Sequence, residues 1–277
     1  MNIWNNIEWI LPLRSECLTP LMKFVTDLGV PFGHVIIMML FLSIGYWVWR
    51  KETFRHLMIL VMCTLVINFT LKSLVKDPRP PSMYWLTPAD LYGFPSGHAQ
   101  SAVVIWLGLA YELKRFWSWI VCSIITAAVC FSRLYLGVHD LNDVIYGALF
   151  GGITLFLYYR YKDRVYRRFK PLSLTAQIGL LVAAVGVWIA FYPKPIEMWT
   201  IVAASMILAQ GIGLMIEDKY VRFSPPKIVW KRATIAVIGS LGIVFLSTAP
   251  LIPFYILFGL WQTILAPLLF RRLKLCS

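Results

Sequence analysis

The stretch from Pro95 to Leu113 reads PSGHAQSAVVIWLGLAYEL and joins a polar helix start to a long apolar run. Ser96 stands where a helix cap is expected, because a serine there can accept a hydrogen bond from a free amide of the first turn. The amides of Gly97 and His98 then point outward, and free amides at a helix start bind anions. Taken alone, the same run also fits an ordinary capped helix with a histidine at the membrane interface.

The composition around this stretch is that of an integral membrane protein. Hydrophobic residues make up 59% of the chain, charged residues only 14%, and the mean hydropathy is +0.71. Apolar runs of about 20 residues are long enough to cross a bilayer. The sequence therefore predicts an all-α, polytopic bundle of about nine transmembrane helices, near residues 32–49, 54–75, 97–113, 116–136, 142–160, 174–192, 196–216, 232–249 and 251–270.

The net charge of +13 follows membrane orientation and does not indicate a nucleic-acid partner. Alternate loops place 19 of the 26 lysines and arginines on one side, which predicts that side to be cytoplasmic, with the amino terminus outside and the carboxyl terminus inside. Four of the seven outer cations are Lys72, Lys76, Arg79 and Arg133. They require another explanation, either an anionic ligand or pairing with lipid headgroups, Asp77 and Asp90.

Lys72 and Arg79 form the first of three motif runs. Lys72 lies on the last turns of the second predicted span, and the prolines at 78, 80 and 81 end that helix. Arg79 can then fold back toward Lys72, and a forked guanidinium with a compact ammonium suits a phosphoryl group. Lys76 ranks second to Lys72 in this role.

The run from Ser132 to Asp143 supplies a histidine and its carboxylate. Ser132 and Arg133 close the fourth span, and the fifth begins at His139. Asp143 is four residues further on, on the same helical face, where it can hydrogen-bond the imidazole and fix its tautomer. Asp140 points about 100° away on an ideal helix, which favours Asp143.

Together, these runs resemble the signature of the type 2 phosphatidic acid phosphatase superfamily, membrane lipid phosphate phosphatases that share an active site with vanadium haloperoxidases. The resemblance covers about residues 20–160 and implies a phosphatidic acid phosphatase/haloperoxidase-like core. It implies that His139 attacks phosphorus to form a phosphohistidine and that His98 protonates the leaving oxygen, with no metal or cofactor. The phosphoryl oxygens would be held by Lys72, Arg79, Ser96, Gly97 and Arg133.

The resemblance also implies a substrate class, a lipid phosphate or diphosphate drawn from the surrounding membrane lipids. The distribution of basic loops places the motif residues, and with them the hydrolysis, on the extracytoplasmic face. The compact size of the chain leads us to expect a bacterial plasma membrane. Attack by a neutral His139 and donation by a protonated His98 predict a bell-shaped pH profile. The sequence does not select the lipid or the oligomeric state.

Three segments are expected along the chain. Residues 1–31 are predicted to be an outer-face interfacial segment of one or two helices, 32–170 the phosphatase core, and 171–277 a C-terminal transmembrane extension. The run Lys162 to Lys170 is predicted to be a solvated connector. Gly147 and Gly151 on the fifth span indicate close packing, within the bundle in preference to a dimer.

Three other functions use some of the same residues. A metal hydrolase could use His98, His139, Asp140 and Asp143, but no close ligand pair is present and nearby cations would repel a metal. A transporter is suggested by the additional helices, but it would be expected to show two repeated halves with broken helices, which the sequence lacks. Transfer of the phosphoryl group to a second lipid would use every catalytic residue of the hydrolase.

Overall fold

A computed structural model describes residues 6–29, 36–89 and 92–276, and this part of the chain contains helices and no strand. A 3-10 helix at Glu8–Leu13 comes first. The longer helices are α1 (Leu18–Asp27), α2 (Ile36–Trp49), α3 (Lys51–Val75), α4 (97–113), α5 (Phe116–Tyr135), α6 (Leu141–Phe169), α7 (Leu174–Phe191), α8 (Met198–Val221), α9 (Val229–Leu246) and α10 (Leu251–Arg272). Asp90, residues 1–5 of the predicted interfacial segment and residues 30–35 lie outside the described residues.

Seven of these helices, α3 and α5 to α10, are long and apolar enough to cross a membrane. The other two predicted spans correspond to the shorter helices α2 and α4. A π-helical segment at Val103–Leu107 lies in the middle of α4. The prediction of an all-α polytopic bundle is therefore confirmed.

The predicted connector at Lys162 to Lys170 is the main difference from the sequence-based expectation. Helix α6 continues through this run and ends at Phe169. Lysine and arginine are good helix formers, and Arg167 and Arg168 lie in the last turn, where cations interact favourably with the helix dipole. High charge therefore marks the end of the apolar span and not the end of the helix.

The chain divides into two compact units, and the three boundaries between them fall within α2, α3 and α6. The first unit comprises the described residues of Met1–Met38 and Cys63–Arg160, and it contains all three motif runs. The second comprises Met39–Met62 and the described residues of Tyr161–Ser277.

Within the first unit, two glycines of α6 allow close contact with α4. A Cβ added at Gly147 would lie 2.5 Å from the carbonyl oxygen of Ser96, and one added at Gly151 would lie 2.7 Å from that of Gln100. This arrangement agrees with packing inside the bundle. It also places the beginning of α4, which carries His98, against the beginning of α6.

The second unit contains a buried polar cluster around Glu217. Glu217 is completely buried, and its carboxylate accepts hydrogen bonds from the Tyr46 hydroxyl (3.0 Å), Lys51 Nζ (2.6 Å) and the Phe223 amide (2.8 Å). Each carboxylate oxygen thus has a donor, as a buried charge requires. This cluster involves none of the motif residues.

Candidate active site

Lys72 connects the end of α3 to the loop before Pro95. Its Nζ donates to the carbonyl oxygens of Tyr92 (2.6 Å) and Gly93 (2.9 Å), and the residue is only 5% exposed. Lys76, the second-ranked cation, is exposed and has a left-handed backbone with φ of 53°. Of the two lysines, Lys72 is therefore the one that is buried, beside the motif run Pro95 to His98.

The beginning of α4 is held by its own cap and by hydrogen bonds to α6 and α3. The Ser96 hydroxyl accepts from the Ala99 amide at 3.5 Å, so the predicted cap is present. The Ser96 amide donates to the carbonyl oxygen of Asp143 at 2.9 Å. From α3, Asn68 Nδ2 donates to the carbonyl oxygen of Pro95 (3.2 Å) and to Gln100 Oε1 (2.9 Å).

Space at this helix start is limited. A Cβ added at Gly97 would lie 3.0 Å from Oδ1 of Asn68, and one added at Gly93 would lie 2.7 Å from Oδ2 of Asp143. Side chains larger than hydrogen would press on groups of the site at both positions. Glycine thus lets the backbone approach the site closely.

His139 lies between a carboxylate and a guanidinium. Its Nδ1 is 2.8 Å from Oδ2 of Asp143, and its Nε2 is 3.0 Å from Nη1 of Arg79. A guanidinium can only donate, so Nε2 is the acceptor, and the ring proton is assigned to Nδ1, which donates to Asp143. Arg79 Nη1 also donates to the carbonyl oxygen of Val138 at 2.5 Å.

Asp140 has a different position from Asp143. Its Oδ1 accepts from the Asp143 amide at 2.9 Å, as an N-cap carboxylate does at a helix start. Asp143 itself is 1% exposed and faces the imidazole. The structure therefore brings Asp143 to His139 and uses Asp140 to begin α6.

Arg133 is buried near the end of α5 and held from α1. Its Nη1 donates to Oγ1 of Thr26 at 2.6 Å, and the residue is 4% exposed. Its Nε is also buried and has no hydrogen-bond partner in the described part of the chain. Part of the guanidinium thus remains available to an acceptor.

The three cations act on both imidazoles. The charges of Lys72, Arg79 and Arg133 influence His98 and His139 alike, and His98 also influences His139. Burial, followed by the charges of Arg79 and Arg133, lowers the pKa of His139 well below its ordinary value. The geometry therefore provides a neutral imidazole inside a desolvated positive field, where electrostatic interactions are stronger than in water.

The charge pattern favours an anion over a metal. Among the residues that the structure describes, no three His, Cys, Asp or Glu side chains form a group that could hold a metal ion. The cations closest to His139 would oppose a bound cation and attract a phosphoryl group.

Sequence reasoning did not identify Thr26, Asn68, Gln100 or Gly93. Asn68 and Gln100 carry a signal that could have been used, because polar side chains in an apolar span are costly and usually interact with another group. Asn68 is one helical turn before Lys72. Thr26 has no such signal, since its partner Arg133 lies 107 residues away.

Taken together, the fold and the site define a polytopic helical membrane protein with a buried, cation-lined histidine site. Residues 53–167 match the PAP2 superfamily, and residues 201–277 match the transmembrane extension of PAP2 superfamily phosphatases. The chain belongs to the PAP2 superfamily and is a membrane phosphatase of that type. The motif residues all lie within the first matched range.

Two relatives show how far the similarity extends. The chain is 29% identical over 165 residues to phosphatidylglycerophosphatase B of Bacillus subtilis, covering 56% of this chain and 80% of that protein. It is 27% identical over 150 residues to sphingosine-1-phosphate phosphatase 1 of Mus musculus, covering 50% of this chain. The chain spans only 34% of the length of that mouse protein.

A solved structure shares the fold. The crystal structure of the first transmembrane PAP2 type phosphatidylglycerolphosphate phosphatase from Bacillus subtilis superposes with a TM-score of 0.50 at 23% identity. The superposition covers 57% of this chain and 83% of that one. This likeness concerns the architecture of the helices.

Proposed function

We propose that this protein hydrolyses the phosphate or diphosphate headgroup of a lipid on the extracytoplasmic face of a membrane, through a phosphohistidine on His139. The observation that carries the proposal is the hydrogen bonding of His139, whose Nδ1 donates to Asp143 while its unprotonated Nε2 accepts from Arg79. A neutral, oriented imidazole among cations is what nucleophilic attack on a phosphoryl group requires.

In the first step, Nε2 of His139 attacks phosphorus and the bond from phosphorus to the lipid oxygen breaks. His98 gives its proton to that leaving oxygen, and Asp143 stabilises the positive charge that develops on the imidazole. Arg79 contacts Nε2 before the substrate binds, so its guanidinium must move from that nitrogen to the phosphoryl oxygens.

In the second step, water attacks the phosphorus of the phosphohistidine. His98, now neutral, accepts a proton from that water, and the bond between phosphorus and Nε2 breaks. Inorganic phosphate leaves, and both histidines return to their starting protonation states. The reaction balances without a metal or redox cofactor.

The phosphoryl oxygens have five candidate donors. The Gly97 amide lies near the start of α4, where backbone N–H groups are free to bind an anion, and Ser96 caps that helix. Lys72, Arg79 and Arg133 add the dispersed positive charge that phosphoryl transfer demands.

The lipid substrate class is supported by the relatives and by the membrane spans. Both relatives described above are named for the removal of phosphate from a phospholipid or a sphingoid lipid. A site placed near the ends of apolar helices can receive a headgroup while the lipid chains stay in hydrocarbon. The distribution of basic loops supports an extracytoplasmic site, and we propose a bacterial plasma membrane.

The test is phosphate release by the purified full-length protein in detergent with excess chelator. The substrates are phosphatidic acid, phosphatidylglycerol phosphate, a sphingoid base phosphate and an isoprenyl diphosphate. We expect the wild type to release free phosphate from at least one of them. His139→Ala should reduce that rate to background, because no nucleophile remains.

Lys76→Ala is a matched control, since it removes an exposed cation near the same loop. It should retain most of the wild-type rate. Loss of the lipid phosphate without free phosphate would instead indicate transfer to a second lipid. Full activity of His139→Ala would contradict the proposed nucleophile, and activity that requires added metal would contradict the metal-free mechanism.

A further inference from the structure

Helix α1 lies outside the matched PAP2 range, yet its carboxyl end contacts α4 and α5, two of the helices that carry candidate site residues. The indole of Trp106, on α4, donates to the carbonyl oxygen of Leu28 at 2.8 Å. A Cβ added at Gly29 would lie 2.5 Å from Val129, on α5, and 3.2 Å from the carbonyl oxygen of His98. The end of α1 is therefore packed against the site from a segment that the motifs do not include.

Thr26 provides the polar contact at this end of α1. The residue is 6% exposed, and its hydroxyl accepts from Nη1 of Arg133 at 2.6 Å, a short bond to a charged donor. The neighbouring Asp27 also interacts electrostatically with Arg133. One edge of the guanidinium is thus anchored, while its buried Nε has no partner among the described residues.

We propose that Thr26 is a positioning residue that aims the guanidinium of Arg133 at the phosphoryl group. Arginine has several rotatable bonds, and ordering them when a ligand binds costs conformational entropy. A side chain that is already anchored in the folded protein does not pay this cost again on binding. The Thr26 hydroxyl fixes the guanidinium of Arg133 through Nη1, so that the remaining N–H groups meet the substrate in one orientation. This inference depends on the proposed function, in which Arg133 binds the phosphoryl group.

The experiment compares Thr26→Val, which keeps the shape and removes the hydroxyl, with Thr26→Ser, which keeps the hydroxyl. We expect Thr26→Val to lower kcat/KM about tenfold and to weaken inhibition by inorganic phosphate by a similar factor, as the loss of one charge-assisted hydrogen bond predicts. Thr26→Ser should stay within about twofold of the wild type.

Thr126→Val is the matched control. Thr126 is also a buried threonine, but its hydroxyl donates to the carbonyl oxygen of Cys122 within α5. Removing this hydroxyl should leave phosphate inhibition unchanged. If Thr26→Val does not fold, Thr26→Ala takes its place in the comparison with Thr26→Ser.

Arg133→Gln separates this inference from the proposed function. Thr26→Val should have no further effect on phosphate inhibition in the Arg133→Gln background, because a residue that acts through Arg133 cannot act without it. Equal phosphate inhibition of Thr26→Val and wild type, or an undiminished effect in that background, would overturn the positioning role. Full activity and unchanged phosphate inhibition of Arg133→Gln would overturn the assignment of Arg133 itself.

Discussion

Nδ1 of His139, two residues before α6, and Oδ2 of Asp143, in the first turn of α6, lie 2.8 Å apart, and both residues are almost completely buried. The carboxylate is held in place because its own backbone amide donates to Asp140 and its carbonyl accepts from Ser96. The pair therefore connects the proposed nucleophile to the helix start that carries His98.

Replacing this carboxylate should disable the reaction without unfolding the protein. We expect Asp143→Asn to lower kcat about a thousandfold, because an amide neither fixes the reactive tautomer nor stabilises the imidazolium. The measurement is phosphate release together with a thermal unfolding curve. The control is Asp140→Asn, which keeps an oxygen to cap α6 and should retain most of the activity.

A greater loss in Asp140→Asn than in Asp143→Asn would reverse the two assignments. A large drop in unfolding temperature for Asp143→Asn would indicate a structural role for that carboxylate instead.

The pH dependence should reflect the lowered pKa of His139. The neutral imidazole is the reactive form, so kcat/KM stays high as the pH falls until it reaches the lowered pKa of His139, below the ordinary value of 6.5. The basic limb should report loss of the proton from His98. A bell-shaped profile therefore requires His98 to hold its proton at a higher pH than His139 does, although the same three cations act on both rings.

Arg79→Gln tests the cause of this shift. Removal of a nearby positive charge makes protonation of His139 easier, so the acid limb of the residual activity should move upward, toward 6.5. The measurement is a kcat/KM profile from pH 4 to 9 for both proteins. Lys76→Gln serves as the control for loss of an exposed charge, and identical acid limbs in Arg79→Gln and wild type would contradict the electrostatic explanation.

The helices and the His139–Asp143 contact were predictable from sequence. The contacts by which other parts of the chain hold the site residues in place were not. Apolar runs identify membrane spans because the hydrocarbon core of a bilayer requires a long apolar helix, whichever neighbours that helix packs against. The spacing of four residues is local and gives the imidazole its partner. In contrast, the anchoring of Arg133 by Thr26 joins residues 107 positions apart, and only the packing of α1 on α5 reveals it.

The contact of Asn68 with the start of α4 is similarly non-local and should be functional. Asn68→Leu removes donors to Pro95 and Gln100 and leaves the buried Gln100 unpaired. We expect a loss of about 1–3 kcal/mol in stability and a clear fall in kcat/KM as the helix start shifts. Thr70→Val is the control, because that hydroxyl donates to Val66 within α3. Comparable effects of the two variants on kcat/KM would argue against a specific role for Asn68.

Two glycines of α6 offer a matched pair for the packing against α4. A methyl group at Gly147 would meet the Ser96 carbonyl oxygen at 2.5 Å, whereas nothing lies within 4 Å of one at Gly152. Gly147→Ala should lower the free energy of unfolding by about 1–3 kcal/mol and reduce activity, because the start of α4 must move. Gly152→Ala should be neutral or stabilising, since alanine is the better helix former. Denaturant unfolding and phosphate release measure both, and a harmless Gly147→Ala would contradict the described contact.

The proposed membrane orientation is testable through two natural cysteines. Cys17 is exposed at the start of α1, and Cys276 lies near the end of the described chain. If the site-bearing ends of the helices face outward, a membrane-impermeant maleimide added to spheroplasts should label Cys17 and spare Cys276 until the membrane is permeabilised. The variants Cys17→Ser and Cys276→Ser assign each signal. Labelling of Cys276 before permeabilisation, with Cys17 protected, would place the site on the cytoplasmic face, because Cys17 belongs to the segment that anchors Arg133.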